Sequence, residues 1–87
     1  MRVVLNGKEY SRGHAGDMFW TWPQILAHAS RDATLRPGDV IGSGTVGTGC
    51  ILELTPEAVG GWLKPGDVVA LTIQDIGTLT NRVVERP

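Results

Sequence analysis

The sequence has little of what small domains use for covalent or metal-based stabilisation. Its 87 residues include one cysteine, so no disulfide can form within the chain, and a lone cysteine is typical of a reducing, cytoplasmic setting. The Cys/His spacing of zinc sites is absent. A chain of this length buries only about 60–65% of its unfolded surface, which leaves it marginally stable. We therefore expect a partner chain, or the rest of a larger protein, to supply stabilisation.

Excess charge and long apolar runs are missing as well. Eight Lys and Arg against nine Asp and Glu give a net charge of -1, which offers no electrostatic basis for binding nucleic acid or an anionic membrane. No apolar run approaches the roughly 18 residues of a bilayer-spanning helix. The first five residues lack the long apolar core of a signal peptide. We expect neither nucleic acid nor a membrane as a partner.

What the sequence does contain is a glycine-rich loop, residues 42–49, between two short apolar runs that read as strands. It alternates glycine with small and hydroxyl residues: Gly42, Ser43, Gly44, Thr45, Val46, Gly47, Thr48 and Gly49. Backbone N–H groups and hydroxyls in such a loop suit a carboxylate or an oxyanion. The alternative is a tight strand-to-strand crossing in which small residues are needed only for steric reasons.

The remaining pattern predicts a single α+β domain, mainly β, with five or six strands and one short helix. Strands are expected at 2–5 and 8–11 around an Asn6-Gly7 hairpin turn, and at 68–73 and 78–84 around a second turn. Thr21 and Gln24 form a capping-box pattern ahead of a helix over 22–30. Residues 55–62 predict one helical turn that ends at paired glycines.

A short motif occurs twice. Residues 35–41, Leu-Arg-Pro-Gly-Asp-Val-Ile, recur 28 positions later as Leu-Lys-Pro-Gly-Asp-Val-Val at 63–69. Pro-Gly at the centre predicts a type II turn, in which glycine takes the positive φ. We interpret each copy as a surface turn that feeds a core strand.

Three further side chains have chemical potential. His14 and Asp17 lie three residues apart in a loop and are candidates for a base and the group that orients it, the alternative being a solvated loop. His28, in the middle of the predicted helix, reads as a surface or satisfied core residue. Cys50 precedes Ile51 and Leu52 and is expected to be a buried thiol.

Four segments together resemble a known family. They are Gly-Asp-Met-Phe-Trp-Thr-Trp at 16–22, Gly-Asp-Val-Ile-Gly-Ser-Gly-Thr-Val-Gly at 38–47, Trp-Leu-Lys-Pro-Gly-Asp-Val-Val at 62–69, and Ile-Gly-Thr-Leu-Thr-Asn-Arg-Val-Val at 76–84. In this order they are similar to the C-terminal part of the fumarylacetoacetate hydrolase family. The resemblance covers nearly the whole chain.

The resemblance implies a part of a mixed β-sandwich roll from an enzyme that acts on C–C bonds of 2-oxo or dioxo acids with Mg²⁺ or Mn²⁺. By motif match, Thr45 would contact the substrate's carboxylate or oxo group. Gly44 and Gly47 would shape the loop around it. Asp17 and Met18 would line the same cavity.

The resemblance also implies what this chain lacks. The family's Glu-x-Glu metal ligands and its catalytic histidine and lysine belong to a preceding region, and no Glu-x-Glu occurs here. The expected partner is a complementary N-terminal half or a second copy in a homodimer. Any metal site within the chain would have to use carboxylates such as Asp17 and Glu53 as its ligands. The alternatives are a non-catalytic, truncated β module that folds by self-association, and a domain that binds a carboxylate without catalysis.

Overall fold

The computed structural model describes residues Met1 to Pro87, and its central feature is one antiparallel sheet. The strands are β1 (Arg2–Leu5), β2 (Lys8–Arg12), β3 (Val68–Ile73) and β4 (Gly77–Arg82), in the order β2-β1-β3-β4. The helices are α1 (Trp22–Ala29) and α2 (Ile51–Leu54), with 3₁₀ turns at Ala15–Asp17 and Glu57–Val59. The predicted α+β, mainly β class is confirmed, with four strands rather than five or six.

The β1–β2 hairpin is built as the sequence predicts. Asn6 and Gly7 both have positive φ, 50° and 83°, as a type I′ turn requires. Asn6 also ties this hairpin to β3, because its backbone N–H donates to the carbonyl of Val68 at 2.9 Å. Its side-chain oxygen in turn accepts from the Val68 N–H at 2.9 Å. The hairpin therefore cannot shift along β3 without breaking both bonds.

The two copies of the repeated motif form the same turn but are followed by different structures. Gly38 and Gly66 have φ of 97° and 98°, which confirms the type II prediction. Asp39 and Asp67 close the turns by accepting the N–H three residues earlier, at 2.8 and 2.9 Å. Only the second copy feeds a strand; Val40 is 95% exposed. The predicted strand after residue 39 is wrong because no neighbouring strand in this chain pairs with it.

The second predicted strand beside the glycine-rich loop is also wrong. Residues Ile51–Leu54 form α2, in which the N–H groups of Glu53 and Leu54 both donate to the carbonyl of Cys50, at 3.1 and 3.2 Å. With no strand alongside to accept them, these N–H groups form hydrogen bonds to a carbonyl three or four residues earlier in the chain. Cys50 itself is exposed, which corrects the expectation of a buried thiol.

Both predicted helical segments are present. In α1, Gln24 Oε1 accepts from the N–H and the hydroxyl of Thr21, at 2.9 and 2.8 Å, so the predicted partners meet at the helix start. The 3₁₀ turn Glu57–Val59 ends at Gly60, which is left-handed with φ 83°. The paired glycines therefore end this helical turn as expected.

The chain buries very little of itself. One face of the sheet carries Val3, Leu5, Val69 and Leu71 beneath the α2 segment, yet only Ser11, Val59 and Asp67 are buried. The accessible surface is 7203 Å², whereas a self-contained protein of this mass exposes about 5,000 Å². The radius of gyration, 16.3 Å, likewise exceeds the roughly 12 Å of a compact domain. The chain therefore exposes about 2,200 Å² more than a self-contained protein of its mass.

Candidate active-site cleft

A cleft of about 660 Å³ lies where β1 begins and β2 and β3 end. Its walls are residues 12–15, 17–18 and 43–48, with Met1, Trp22 and Ile73. Sites for small ligands commonly measure about 300–1,000 Å³. The cleft is therefore large enough for a small organic acid.

All five residues predicted for the site line this cleft: Asp17, Met18, Gly44, Thr45 and Gly47. The first two come from the segment ahead of α1 and the others from the glycine-rich loop, about thirty positions later. Sequence reasoning missed Arg12 and Trp22, which also line the cleft. Arg12 is the last residue of β2 and Trp22 is the first residue of α1. These positions, next to the predicted cleft segments, were the signal in the sequence that could have indicated them.

The glycine-rich loop, which lines the cleft, has backbone N–H groups without a partner in the chain. No backbone N–H from Val40 to Thr48 donates a hydrogen bond within the chain. Gly44 has φ 88°, a conformation that side chains disfavour. Thr45 is exposed, so its hydroxyl is accessible as well. Such a set of unpaired donors is suited to an anionic oxygen.

Two contacts fix the glycine-rich loop against β2. Thr48 Oγ1 lies 3.0 Å from the hydroxyl of Ser11, which is buried at 7% exposure. Beyond the end of β2, a Cβ added to Gly13 would overlap Cγ1 of Val46. Glycine at position 13 is therefore what allows Val46, and the loop with it, to approach the sheet.

His14 and Asp17 lie in the cleft wall but do not form a catalytic pair. His14 Nδ1 accepts the N–H of Gly16 at 2.9 Å, and the carbonyl of His14 accepts the N–H of Asp17 at 3.1 Å. No hydrogen bond or ion pair joins the two side chains, and both residues are exposed. The imidazole instead caps the 3₁₀ turn that carries Asp17. His28 lies outside the cleft and is exposed.

The one arginine side chain of the cleft is already engaged in an ion pair. Arg12 lines the cleft, and its guanidinium binds both carboxylate oxygens of Glu9, at 2.9 and 3.0 Å. The hydrogen bonds to Arg12 lower the pKa of Glu9, and the same bonds to Glu9 raise the pKa of Arg12. Asp17 adds a carboxylate to the wall.

The chain's own residues do not fit a divalent metal. No group of three or more His, Cys, Asp or Glu side chains is close enough to hold one. The cleft contains His14 and Asp17, whereas Glu53 lines neither this cleft nor the apolar cavity beside it. Mg²⁺ and Mn²⁺ favour several oxygen ligands, so any such ion would need ligands from outside this chain.

Comparison with known sequences identifies the chain. Residues 1–84 match the sequence model described as fumarylacetoacetate (FAA) hydrolase C-terminal. The chain belongs to the fumarylacetoacetate hydrolase family. Within it, oxaloacetate tautomerase YisK of Bacillus subtilis (strain 168) is 37% identical over 82 residues, covering 91% of this chain. The bifunctional isomerase/decarboxylase of 4-hydroxyphenylacetate degradation from Escherichia coli is 31% identical over 84 residues, covering 97%.

This fumarylacetoacetate hydrolase-family chain corresponds to a small part of those relatives. It spans 25% of the length of the Bacillus subtilis enzyme and 17% of the Escherichia coli enzyme. No solved structure gives a significant match. The structure contains no helix that is both long and apolar enough to cross a membrane.

Proposed function

We propose that this chain forms the substrate-binding wall of a metal-dependent fumarylacetoacetate hydrolase-family enzyme that acts on 2-oxo or dioxo acids. The observation that carries the proposal is that the N–H groups of residues 43–47 have no partner within the chain, in a loop that lines the cleft. The Bacillus subtilis relative is named an oxaloacetate tautomerase. Oxaloacetate is therefore the first substrate to test.

In this proposal Thr45 donates its hydroxyl to the carboxylate or oxo oxygen of the acid. Gly44 and Gly47 hold the loop open so that backbone N–H groups reach the same oxygen. Donors fixed before the reaction stabilise negative charge as it develops, because they need not reorganise in the transition state. Asp17 and Met18 line the same cleft and restrict where the acid can lie.

The charge of the cleft supports a cation from elsewhere. Arg12 is already paired with Glu9, and the Asp17 carboxylate would repel an acid beside it. Mg²⁺ or Mn²⁺ would supply Lewis-acid stabilisation of an enolate. We assign its ligands, and the general base, to the rest of a longer polypeptide, because the donor set in this chain does not fit.

The rest of that longer polypeptide is also our candidate for the partner of this chain. The excess of about 2,200 Å² over a self-contained protein falls in the range of permanent interfaces. A complementary N-terminal part that covers the sheet face would complete the β-sandwich roll, and a homodimer would cover further surface. The cytoplasmic location stays a prediction.

A chimera tests the proposed function. Residues 1–84 of this chain would replace the matching quarter of the Bacillus subtilis enzyme, and oxaloacetate tautomerisation would be followed by the loss of enol absorbance. We expect an active chimera whose kcat/KM falls about 10- to 100-fold in Thr45→Ala, as when an oxyanion donor is removed.

Thr80→Ala is the matched control, because Thr80 is exposed on β4 and does not line the cleft. Unchanged kcat/KM in Thr45→Ala of an active chimera would remove Thr45 from the site. An inactive but folded chimera, with the Bacillus subtilis enzyme active beside it, would favour the non-catalytic module instead.

A further inference from the structure

Thr48 occupies a position where its residue type is disfavoured. It is the third residue of a turn closed by the Gly49 N–H and the Val46 carbonyl, at 3.1 Å, and its φ is 66°. Turns of this kind favour glycine or asparagine there, because β-branched side chains are strained at positive φ. Glycines stand immediately before and after it, at Gly47 and Gly49.

A specific contact accompanies this strained backbone. Thr48 Oγ1 is 3.0 Å from Ser11 Oγ, across 37 residues of sequence. Ser11 is one of the three buried residues of the chain and is held in β2 opposite Val3. A strained residue persists only where its surroundings over-determine it, and here the partner is a buried residue of a paired strand.

The position of Thr48 gives this contact a consequence for the cleft. Thr48 lines both the cleft and the smaller apolar cavity of about 130 Å³ beside it, whereas Ser11 lines only the smaller one. The residues before Thr48, from Val40 onward, donate no backbone hydrogen bond within the chain. Among the hydrogen bonds of the chain, the Ser11–Thr48 bond is the one that joins the donor-bearing loop to the sheet, and Val46 packs against Gly13 beside it.

We propose that Ser11 and Thr48 are positioning residues, whose hydroxyl–hydroxyl bond holds residues 44–47 at the cleft and thereby sets the affinity for the bound acid. The inference rests on the proposed function of the loop. It adds that a pair of hydroxyls, neither needed to touch the acid, determines how well the loop's donors are aligned.

The first test measures loop order in the chimera, without any ligand. Ser11→Ala and Thr48→Val each remove one hydroxyl, and Thr48→Ser keeps it while removing the branch at Cβ. We expect the ¹⁵N order parameters of Gly44 and Gly47 to fall from about 0.85 towards 0.6 in the first two variants. They should stay high in Thr48→Ser.

The structure offers a matched control. Thr72 and Thr78 form another hydroxyl pair, 2.9 Å apart, that lies outside the cleft. Thr78→Val should leave the order of Gly44 and Gly47 unchanged. If Ser11→Ala and Thr48→Val also leave it unchanged while the sheet stays folded, the positioning role is overturned.

The second test separates positioning from simple stability, using the active chimera. Ser11→Ala and Thr48→Val should raise the KM for oxaloacetate about 3- to 10-fold with a smaller change in kcat. The double variant should be no worse than either single one, because both remove the same bond. Additive losses, or no change in KM beside a disordered loop, would overturn the proposal.

The two proposals fail in distinguishable ways. Activity unchanged by Thr45→Ala contradicts the proposed function, whatever the loop order shows. Loop order unchanged in Ser11→Ala and Thr48→Val contradicts the positioning role, even if Thr45→Ala abolishes turnover.

Discussion

The side-chain amide of Asn6 donates to Oδ1 of Asp67 at 2.9 Å, joining residues 61 positions apart. Asp67 also accepts the Lys64 N–H through Oδ2, at 2.9 Å, and is 6% exposed. The first hairpin and the turn that begins β3 thus share one buried carboxylate. The equivalent Asp39 of the other repeat accepts the Arg36 N–H but has no such second partner.

This arrangement predicts loss of stability in acid. The Asn6 hydrogen bond, then the Lys64 backbone N–H, hold the pKa of Asp67 below its ordinary value. A carboxylate with a lowered folded-state pKa stabilises the fold above its unfolded pKa of about 4. That contribution is lost as the pH falls through the folded value.

Thermal unfolding from neutral pH to about pH 2.5 checks this prediction. Asp67→Asn should be less stable at pH 7 and should lose less on acidification, whereas Asp39→Asn should keep the wild-type profile. Identical profiles for wild type and Asp67→Asn would contradict the assignment. Arg12 lowers the pKa of Glu9, so Glu9 also contributes to the loss of stability in acid. Both variants retain this contribution.

Gly13 is expected to control the approach of the glycine-rich loop to the sheet. Gly13→Ala should displace Val46, because the new Cβ would overlap its Cγ1. Overpacking of this kind costs about 1–3 kcal/mol, and we expect lower stability and a higher KM for oxaloacetate in the chimera. Val46→Ala in the same chain should restore both.

Gly42→Ala is the control, since nothing lies within 4 Å of a Cβ at that position. A Gly13→Ala chain with wild-type stability and KM would show that the contact does not position the loop.

His14 is predicted to act as a cap for the 3₁₀ turn, not as a base. His14→Ala removes the acceptor for the Gly16 N–H and should loosen the segment that carries Asp17 and Met18. The kcat/KM of the chimera should then fall about 3- to 10-fold. Asn is a good capping residue, so His14→Asn should recover most of the activity, and His28→Ala should have no effect. Equal losses in His14→Asn and His14→Ala would instead favour a chemical role for the imidazole.

The isolated chain is predicted to associate with itself. Large apolar side chains of the sheet face are exposed, among them Leu71, Ile73 and Leu79, and unpaired apolar surface favours association. Analytical ultracentrifugation and native mass spectrometry, with and without Mg²⁺, should show dimers or larger species that retain no metal. A monomer at high concentration, or one Mg²⁺ retained per chain, would contradict the division of the site between this chain and a preceding part.

Local signals explain what the sequence could predict. Asn6-Gly7, the two Pro-Gly turns and the Thr21–Gln24 pair determine backbone geometry through neighbouring residues, and all three devices are present as expected. The residues predicted for the site lie together because they are short segments beside these turns. Their gathering in one cleft was implied by the family resemblance and not by spacing.

The errors have a common physical cause. Val40 and Ile51 begin apolar runs that read as strands, but a strand needs a neighbour, and this chain provides none for either. The first run forms no regular secondary structure, and the second closes local bonds as α2. The contacts of Ser11 with Thr48 and of Gly13 with Val46 join distant segments, so no local pattern could reveal them.

In the proposed function, Thr45 binds the acid directly. The affinity of the chimera for oxalate, which is not turned over, tests this contact separately from catalysis. Isothermal titration would compare wild type, Thr45→Ala and the Thr80→Ala control, in the presence of Mg²⁺. We expect a Kd about tenfold higher in Thr45→Ala, from the loss of one hydrogen bond to a charged group, and no change in Thr80→Ala. An unchanged Kd in Thr45→Ala would contradict the direct contact.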